Sequence, residues 1–484
     1  MSRETPPRVA IIGAGFAGIV VAIKLQRVGI DYVIFERSEG VGGTWWDNRY
    51  PGAETDAASH LYAYSFAPYD WSRTHVRRAE IQEYLEHVAE SFGVMSSIRF
   101  KETVESVTWD DASSEYVVRT AAGESERFAF VVSCVGLFAA PQYPVWPGLE
   151  DFRGEVVHTA EWDETLDISG KRVAVVGTGS SAAQVVPTVA PHAHSVTVYQ
   201  RQPGWVLPKG DRDFSARERR VFSWPFVQRL NRIRLYVRQE RREWHGAVFR
   251  PGSRMNRRWE AKARQYVAEV FADRPDLAEA LTPDYAFAGK RTVVSSDFYP
   301  ALLRDDVHLV PRAVVSCTRS GIIDSEGVER EADVLVLATG YVATRFLASL
   351  AVTGRNGTAL NTVWGPDPFA LAGMMVPGFP NFFIMYGPNT NGGLTVSNFE
   401  HEADFIVHQI RRVLTKGKST VDARERVSAV YNRWVQHRIS STAWVDGSNY
   451  FASSTGRIVT QWPEGAAVYA LVLLALRRLG TRVS

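Results

Sequence analysis

The chain has very little cysteine: Cys134 and Cys317 are the only two in 484 residues. That scarcity excludes a disulfide framework and fits a reducing compartment. It also excludes a redox Cys-x-x-Cys, so a dithiol reductase would lack its reactive pair. Charge of one sign is missing too. With 55 Lys and Arg against 53 Asp and Glu, the formal net charge is only +2, and no global field draws the chain to nucleic acid. The apolar run that stands out, Ala466 to Leu476 followed by Arg477-Arg478, is about half of the roughly 20 residues a bilayer span needs. It reads as a buried terminal helix, with an interfacial or partner-facing helix as the alternative, so no firm membrane association is expected. The polar opening Met1-Ser2-Arg3-Glu4-Thr5-Pro6-Pro7 runs straight into a strand. This reads as no signal peptide and a cytoplasmic protein. No cluster with metal-ligand spacing and no Ser/His/Asp constellation is present.

What the chain does have is two dinucleotide-binding turns. Arg8-Val9-Ala10-Ile11-Ile12 has the β-branched look of a buried parallel strand, and it ends in Gly13-Ala14-Gly15-Phe16-Ala17-Gly18 ahead of a helical pattern. In a strand–Gly-x-Gly-x-x-Gly–helix unit, glycines permit the turn and the close approach of a pyrophosphate, which the helix N-terminus then faces. The next strand, Tyr32-Val33-Ile34-Phe35, ends at Glu36, 23 residues after Gly13, where an acid accepts ribose hydroxyls. Beyond it lie Gly42-Gly43-Thr44-Trp45-Trp46 and Tyr50-Pro51-Gly52-Ala53-Glu54-Thr55-Asp56. The paired tryptophans suit the wall of a flat ring, so FAD is the ligand read for this half.

The second unit is Lys171-Arg172-Val173-Ala174-Val175-Val176 followed by Gly177-Thr178-Gly179-Ser180-Ser181-Ala182, with alanine in place of the third glycine. Its following strand, Ser195 to Tyr199, ends at Gln200-Arg201-Gln202. An arginine there suits a 2′-phosphate, which points to NADPH. Two further runs, Phe128–Gly136 and Val334–Tyr341, read as closing strands. Pro380 to Asn389 reads as a returning strand and turn near the flavin. The expected fold is α/β, with two Rossmann-like domains, the second inserted in the first. Boundaries are read at 1–145 and 341–484 for the FAD domain, 146–170 for a linker and 171–340 for the NADPH domain. Residues 211–285 form an arginine-rich insert of amphipathic helices, whose interspersed glutamates favour a solvated face over nucleic acid or lipid.

Between the two turns lies Phe152-Arg153-Gly154-Glu155-Val156-Val157-His158-Thr159-Ala160-Glu161-Trp162-Asp163. This Phe-x-Gly-x-x-x-His-x-x-x-Trp-Asp segment and the Gly-Gly-x-Trp…Tyr-Pro-Gly-x-x-x-Asp segment resemble the two fingerprints of type I Baeyer–Villiger monooxygenases. The group includes cyclohexanone and 4-hydroxyacetophenone monooxygenase-like members, and the resemblance runs from Gly13 to about Pro463. It implies a small-molecule ketone and O2 as partners, with oxidation to an ester or lactone through a C4a-peroxyflavin and a Criegee-type intermediate. It also implies that Arg291, in Ala288-Gly289-Lys290-Arg291, is the catalytic guanidinium, with Asp56 as its carboxylate. Lys290 would join Arg201 at the 2′-phosphate. Gly154, His158 and Trp162 would couple the domains without proton chemistry. The remaining cofactor-binding set is Gly13, Gly15, Phe16, Gly18, Glu36, Arg37, Gly43, Thr44, Trp45, Trp46, Tyr62, Val104, Gly177, Thr178, Gly179, Ser180, Ser181, Gln202 and Asn389.

The chain departs from the family pattern at its C-terminal end, where Tyr450 stands near a position that often carries tryptophan and the sequence diverges after Trp462-Pro463. It also lacks the long N-terminal extension of some aryl-ketone members. The alternative reading is an N- or S-oxygenating flavin monooxygenase, which usually ends the linker motif with another aromatic. A non-catalytic nucleotide sensor leaves Arg291 and Asp56 without a purpose. Monomer and homodimer both remain open.

Overall fold

A computed structural model describes residues 8–446 and 449–484. The polar segment 1–7, read above as carrying no leader, lies outside the described residues. The chain first lays down β1 (Val9–Ile12), helix α1 (Phe16–Gln26), β2 (Tyr32–Phe35), β3 (Ile98–Arg99) and β4 (Phe130–Ser133). It then builds β5 (Glu155–His158), β6 (Arg172–Val176), α2 (Ser180–Val189) and β7 (Ser195–Tyr199). The insert follows as α3 (Ala216–Phe222), α4 (Pro225–Glu243), α5 (Arg254–Val270) and α6 (Pro275–Ala280). Strands β8 (Val307–Val310) and β9 (Val334–Leu337) precede β10 (Phe382–Ile384), α7 (Thr395–Thr415) and α8 (Ala466–Leu479).

These strands form two five-stranded parallel sheets, in the orders β10-β4-β1-β2-β3 and β8-β7-β6-β9-β5. Strand β10 pairs with β4 in the register Phe382–Val131 to Ile384–Ser133, and the Asn381 side chain just before β10 donates to the Ala129 carbonyl, 252 positions earlier, so the first sheet is completed only after the second is finished. β1 is buried on both faces, and α1 is buried almost all round between its sheet and α7. Each buried Val, Leu or Ile there contributes roughly 1.5–3 kcal/mol, and continuous β-branched runs are what a two-sided parallel sheet selects.

Three expectations are refined. Phe128–Gly136 splits at Ala129: Ser125–Phe128 belongs to an antiparallel meander with 104–120, and only Phe130–Ser133 enters the parallel sheet. The stretch read as linker supplies β5, the edge strand of the second sheet beside β9. The apolar run near the C-terminus is helix α8, but it is not buried as read. Ala466, Tyr469 and Leu473 face the core, while Leu471, Leu474 and Leu479 are exposed. No described helix is long and apolar enough to cross a membrane.

Candidate active site

The C-terminal ends of both parallel sheets open on one cavity of about 1890 Å³. Small-molecule pockets usually measure about 300–1,000 Å³, so this one has room for more than one ligand. Of the sequence-read cofactor set, all but Gly18, Trp46 and Asn389 line it.

At the first turn Gly13 takes φ +105°, a conformation that side chains disfavour, and a Cβ there would meet the Cys134 carbonyl at 2.8 Å. Helix α1 begins at Gly15 with no side-chain cap, so its first N–H groups are left for a ligand at the cavity wall. The buried Glu36 carboxylate accepts from the Ala14 N–H at 2.6 Å and the Ser38 N–H at 2.8 Å, and still has acceptor positions facing the cavity. Arg37, ion-paired with Asp47 at 2.5 Å, and Val104 complete this end. Further along, the Trp45 indole donates to Tyr62 Oη at 3.1 Å and the rings meet edge to face, with Phe16 packed on Tyr62. Burial pushes the Tyr62 phenol up to about 12, so it stays neutral. Acceptors for sugar hydroxyls, free N–H groups for a diphosphate and a flat aromatic wall together fit FAD.

The second turn repeats the backbone. Gly177 has φ +118°, and α2 starts at Gly179 with no side-chain cap, presenting Ser180 and Ser181. No acid follows here. Arg201 reaches the cavity with no ion pair to any described residue. Lys290 faces the same space and donates to Gln202 Oε1, and its pKa is lowered by burial and then by the Arg201 charge. Two cations facing one space, neither ion-paired to a carboxylate of the described residues, suit a phosphomonoester, which fits NADPH.

Between the turns, Arg291 Nη2 donates to Asp56 Oδ2 at 2.6 Å. The two side chains keep 37% and 32% exposure inside the cavity, so the pair is deep but open to reactants. The Asp56 charge holds the Arg291 pKa above its usual value. Burial alone would raise the Asp56 carboxyl, but Arg291 and then Lys209 outweigh it and keep it ionised. Tyr450 and Tyr386 border the pair, both phenols pushed up by burial.

Several contributors escaped sequence reading, and they lie on or beside the loop that carries Asp56. Tyr50 Oη donates to Gln184 Oε1 at 2.8 Å, Gln184 Nε2 donates to the Glu54 carbonyl at 3.0 Å, and the buried Lys209 pairs with Glu54 at 2.7 Å. These contacts tie the two nucleotide units together at the loop that positions Asp56. Their only sequence signal was the Tyr-Pro-Gly turn itself.

Two assigned residues are corrected. Trp46 turns away from the cavity, its ring against Gly40 and under the Arg49 guanidinium at 4.8 Å. Asn389 is buried and donates to the carbonyls of Ile458 and Gln461, both at 3.0 Å. It holds the turn, while Tyr386, Asn391 and Gly392 of the same segment reach the cavity. Behind them, buried Glu402 accepts from the Tyr386 N–H at 3.0 Å and contacts Tyr469 Oη at 2.9 Å. Burial lifts its carboxyl to about 7. Tyr469 Oη also lies 3.0 Å from the Ala372 carbonyl. One hydroxyl proton cannot serve both oxygens fully, and below its raised pKa the carboxyl of Glu402 carries a second.

Gly154, His158 and Trp162, read from the sequence as coupling the domains, do not line the cavity. A Cβ on Gly154 would sit 2.4 Å from the Asp333 carbonyl. His158 is buried, accepts from the Ala160 N–H at 3.0 Å through Nδ1, and turns its other face to the Gly340 backbone; burial lowers its pKa against the pull of Glu161. Trp162 is buried in the core of the second sheet. Among the described residues there is no group of side chains that could hold a metal ion.

Two parallel nucleotide sheets facing one cavity with an arginine–carboxylate pair between them define a two-cofactor flavoprotein oxygenase. Residues 6–216 match the flavin-binding monooxygenase-like family. A Baeyer–Villiger monooxygenase of Streptomyces coelicolor is 36% identical over 96% of this chain and 90% of its own. A steroid monooxygenase structure bound to NADP superposes with a TM-score of 0.88 at 29% identity, covering 99% of each chain. Cyclohexanone monooxygenase from Rhodococcus sp. Phi1 bound to NADP+ gives 0.88 at 27% identity, covering 99% of this chain and all of that one. The chain belongs to the Baeyer–Villiger monooxygenases of the flavin-binding monooxygenase family.

Proposed function

We propose that this protein is an NADPH- and O2-dependent monooxygenase that converts a ketone into an ester or lactone. The balance is ketone, O2, NADPH and a proton to ester, NADP+ and water. The observation that carries the reading is the Arg291–Asp56 pair, set between an acid-marked and an arginine-marked nucleotide turn. FAD and NADPH supply the redox chemistry when bound. Gly13, Gly15 and Glu36 would hold the first, and Ser180, Ser181, Arg201 and Lys290 the second.

Arg291 would supply fixed positive charge beside the bound flavin, where negative charge develops on oxygen as the ketone carbonyl is attacked. Its planar fork gives an Nη2 N–H to Asp56 and leaves other N–H groups for the reacting oxygens. Asp56 is a positioning residue that fixes the fork. We place the flavin unit at 1–145 with 341–484 and the nicotinamide unit at 171–340, joined by a linker at 146–170 whose strand β5 is part of the second sheet. The two buried, unpaired cysteines favour a reducing cytoplasm, and the chain acts as a monomer or homodimer on a small ketone, without nucleic acid. Incubating the FAD-loaded protein with NADPH and separate ketone and sulfide panels tests the reading. Ester formation supports it; sulfoxide without ester from any ketone would move the chain to heteroatom oxidation.

A further inference from the structure

Helix α4 turns toward solvent a face of unusual composition. Phe226, Leu230, Ile233 and Val237 are 70, 49, 50 and 41% exposed, and Trp224 just before the helix is 68% exposed. Their spacing of four, three and four residues aligns them in one stripe. At 100° per residue, Arg229 falls on one flank of that stripe and Arg234, Arg238 and Arg241 on the other. All four arginines are exposed, and none has a hydrogen bond or ion pair to a described residue. The acids of the helix, Glu240 and Glu243, are buried, the first accepting from the Ala466 N–H and the second from Gln239. Arg217 and Arg220 on α3 add exposed positive charge at the near end. The face therefore has an apolar centre and cationic margins, with no carboxylate.

We propose that this face docks the protein on an anionic lipid surface, with α4 lying in the interface and not crossing it. The stripe would enter the acyl boundary, Trp224 would sit at headgroup level, and Arg229 on one side and Arg241 on the other, both outside the cavity, would reach lipid phosphates. A second copy of the chain is the other occupant an apolar stripe admits. A two-fold contact, however, would press four unpaired arginines against four more with nothing to offset them. The inner side of the same helix, at Asn231, Leu235 and Gln239, lines the active-site cavity together with the exposed flank arginines Arg234 and Arg238. Docking thus brings the cavity rim to the lipid, a short path for a ketone dissolved there. That last consequence rests on the ketone reading; the docking does not, and its test reads binding and not turnover.

The test is co-sedimentation of the FAD-loaded full chain with phosphatidylglycerol–phosphatidylcholine vesicles and with pure phosphatidylcholine vesicles. The expected result is binding to the first alone, released by salt. Replacing Phe226, Leu230 and Ile233 together by serine should lower the bound fraction at least about tenfold. Arg229→Gln with Arg241→Gln should lower the affinity by about tenfold or more. Leu471→Ser with Leu474→Ser on α8 should bind as the parent does. Flavin absorbance reports folding of each variant, and the arginine pair and salt dependence decide the matter should the serine variant not fold. Three results overturn the proposal: no vesicle binding by the parent, loss confined to the α8 variant, or a parent dimer that the serine variant dissolves while vesicles bind neither.

Discussion

At the first glycine turn Gly13 bends at φ +105°, and at the second Gly177 bends at φ +118°; each is followed by an uncapped helix start. The difference lies one strand later. Glu36 is buried and folded back on the Ala14 and Ser38 N–H groups, whereas Arg201 stands free beside Lys290. On the proposed reading, the shared backbone is a general diphosphate cradle, while the side chains at the end of the second strand, Glu36 in one half and Arg201, joined by Lys290, in the other, select hydroxyl or phosphate. Selectivity in this molecule is local, and exchanging single residues between the halves tests how local.

The largest effect is expected where the halves meet. Arg291→Lys keeps the charge but loses the fork, and kcat for ketone oxidation should fall about 10²–10³-fold with flavin absorbance retained. Near-normal ester yield would remove Arg291 from the reaction. Giving the first turn the character of the second, Glu36→Arg should weaken FAD about 10–100-fold, the range of a lost charged hydrogen bond. Flavin retention on gel filtration measures it, and unchanged retention would reduce Glu36 to a turn brace. The reverse exchange, Arg201→Glu, should raise KM for NADPH at least about tenfold while KM for NADH changes little. Equal losses for both would point to a damaged fold.

The smallest effect concerns Glu402, behind the first turn and without a counterpart in the second unit. Burial lifts its carboxyl from 4.5 to about 7, so between those values the folded chain holds a proton that the unfolded chain releases. Its contribution to stability is full below pH 4.5 and is lost as pH rises through about 7. Glu402→Gln can keep the Tyr386 contact through its oxygen and donate to Tyr469 through its amide. It should therefore flatten the fall of Tm across that window; an unchanged slope would mean that Glu402 is ionised throughout.

The alternation of β-branched strand, glycine turn and helix was plain in the residues, because a doubly buried strand tolerates little else. Arg291 and Asp56 are 235 positions apart, and no local pattern relates them; only the resemblance brought them together before the fold did. Trp46 misled because Trp45 and Trp46 are adjacent in a helix of four residues, Thr44–Asp47. Neighbours on a helix point about 100° apart, so only one can face the cavity. Asn389 misled differently. Its φ of +56° is one that asparagine tolerates, and the requirement for a turn looked like the requirement for a ligand. In α8, Tyr469 and Leu473 face inward while Leu471 and Leu474 do not, a division that an unbroken apolar run cannot reveal.

The chain enters and leaves the second sheet through segments that grip each other. Pro141 and Tyr341 form an antiparallel bridge, the Gln142 N–H donates to the Gly340 carbonyl at 2.8 Å, the Val342 N–H to the Ala140 carbonyl at 2.9 Å, and Thr339 Oγ1 to the Gln142 carbonyl at 2.6 Å. A single strand swivels freely about its own axis; two strands bonded side by side bend across their flat face and resist twisting. The crossing between the units is thus a ribbon stiff against twist, and it holds the nicotinamide-side unit, with Arg201 and Arg291, in one attitude to the flavin-side wall.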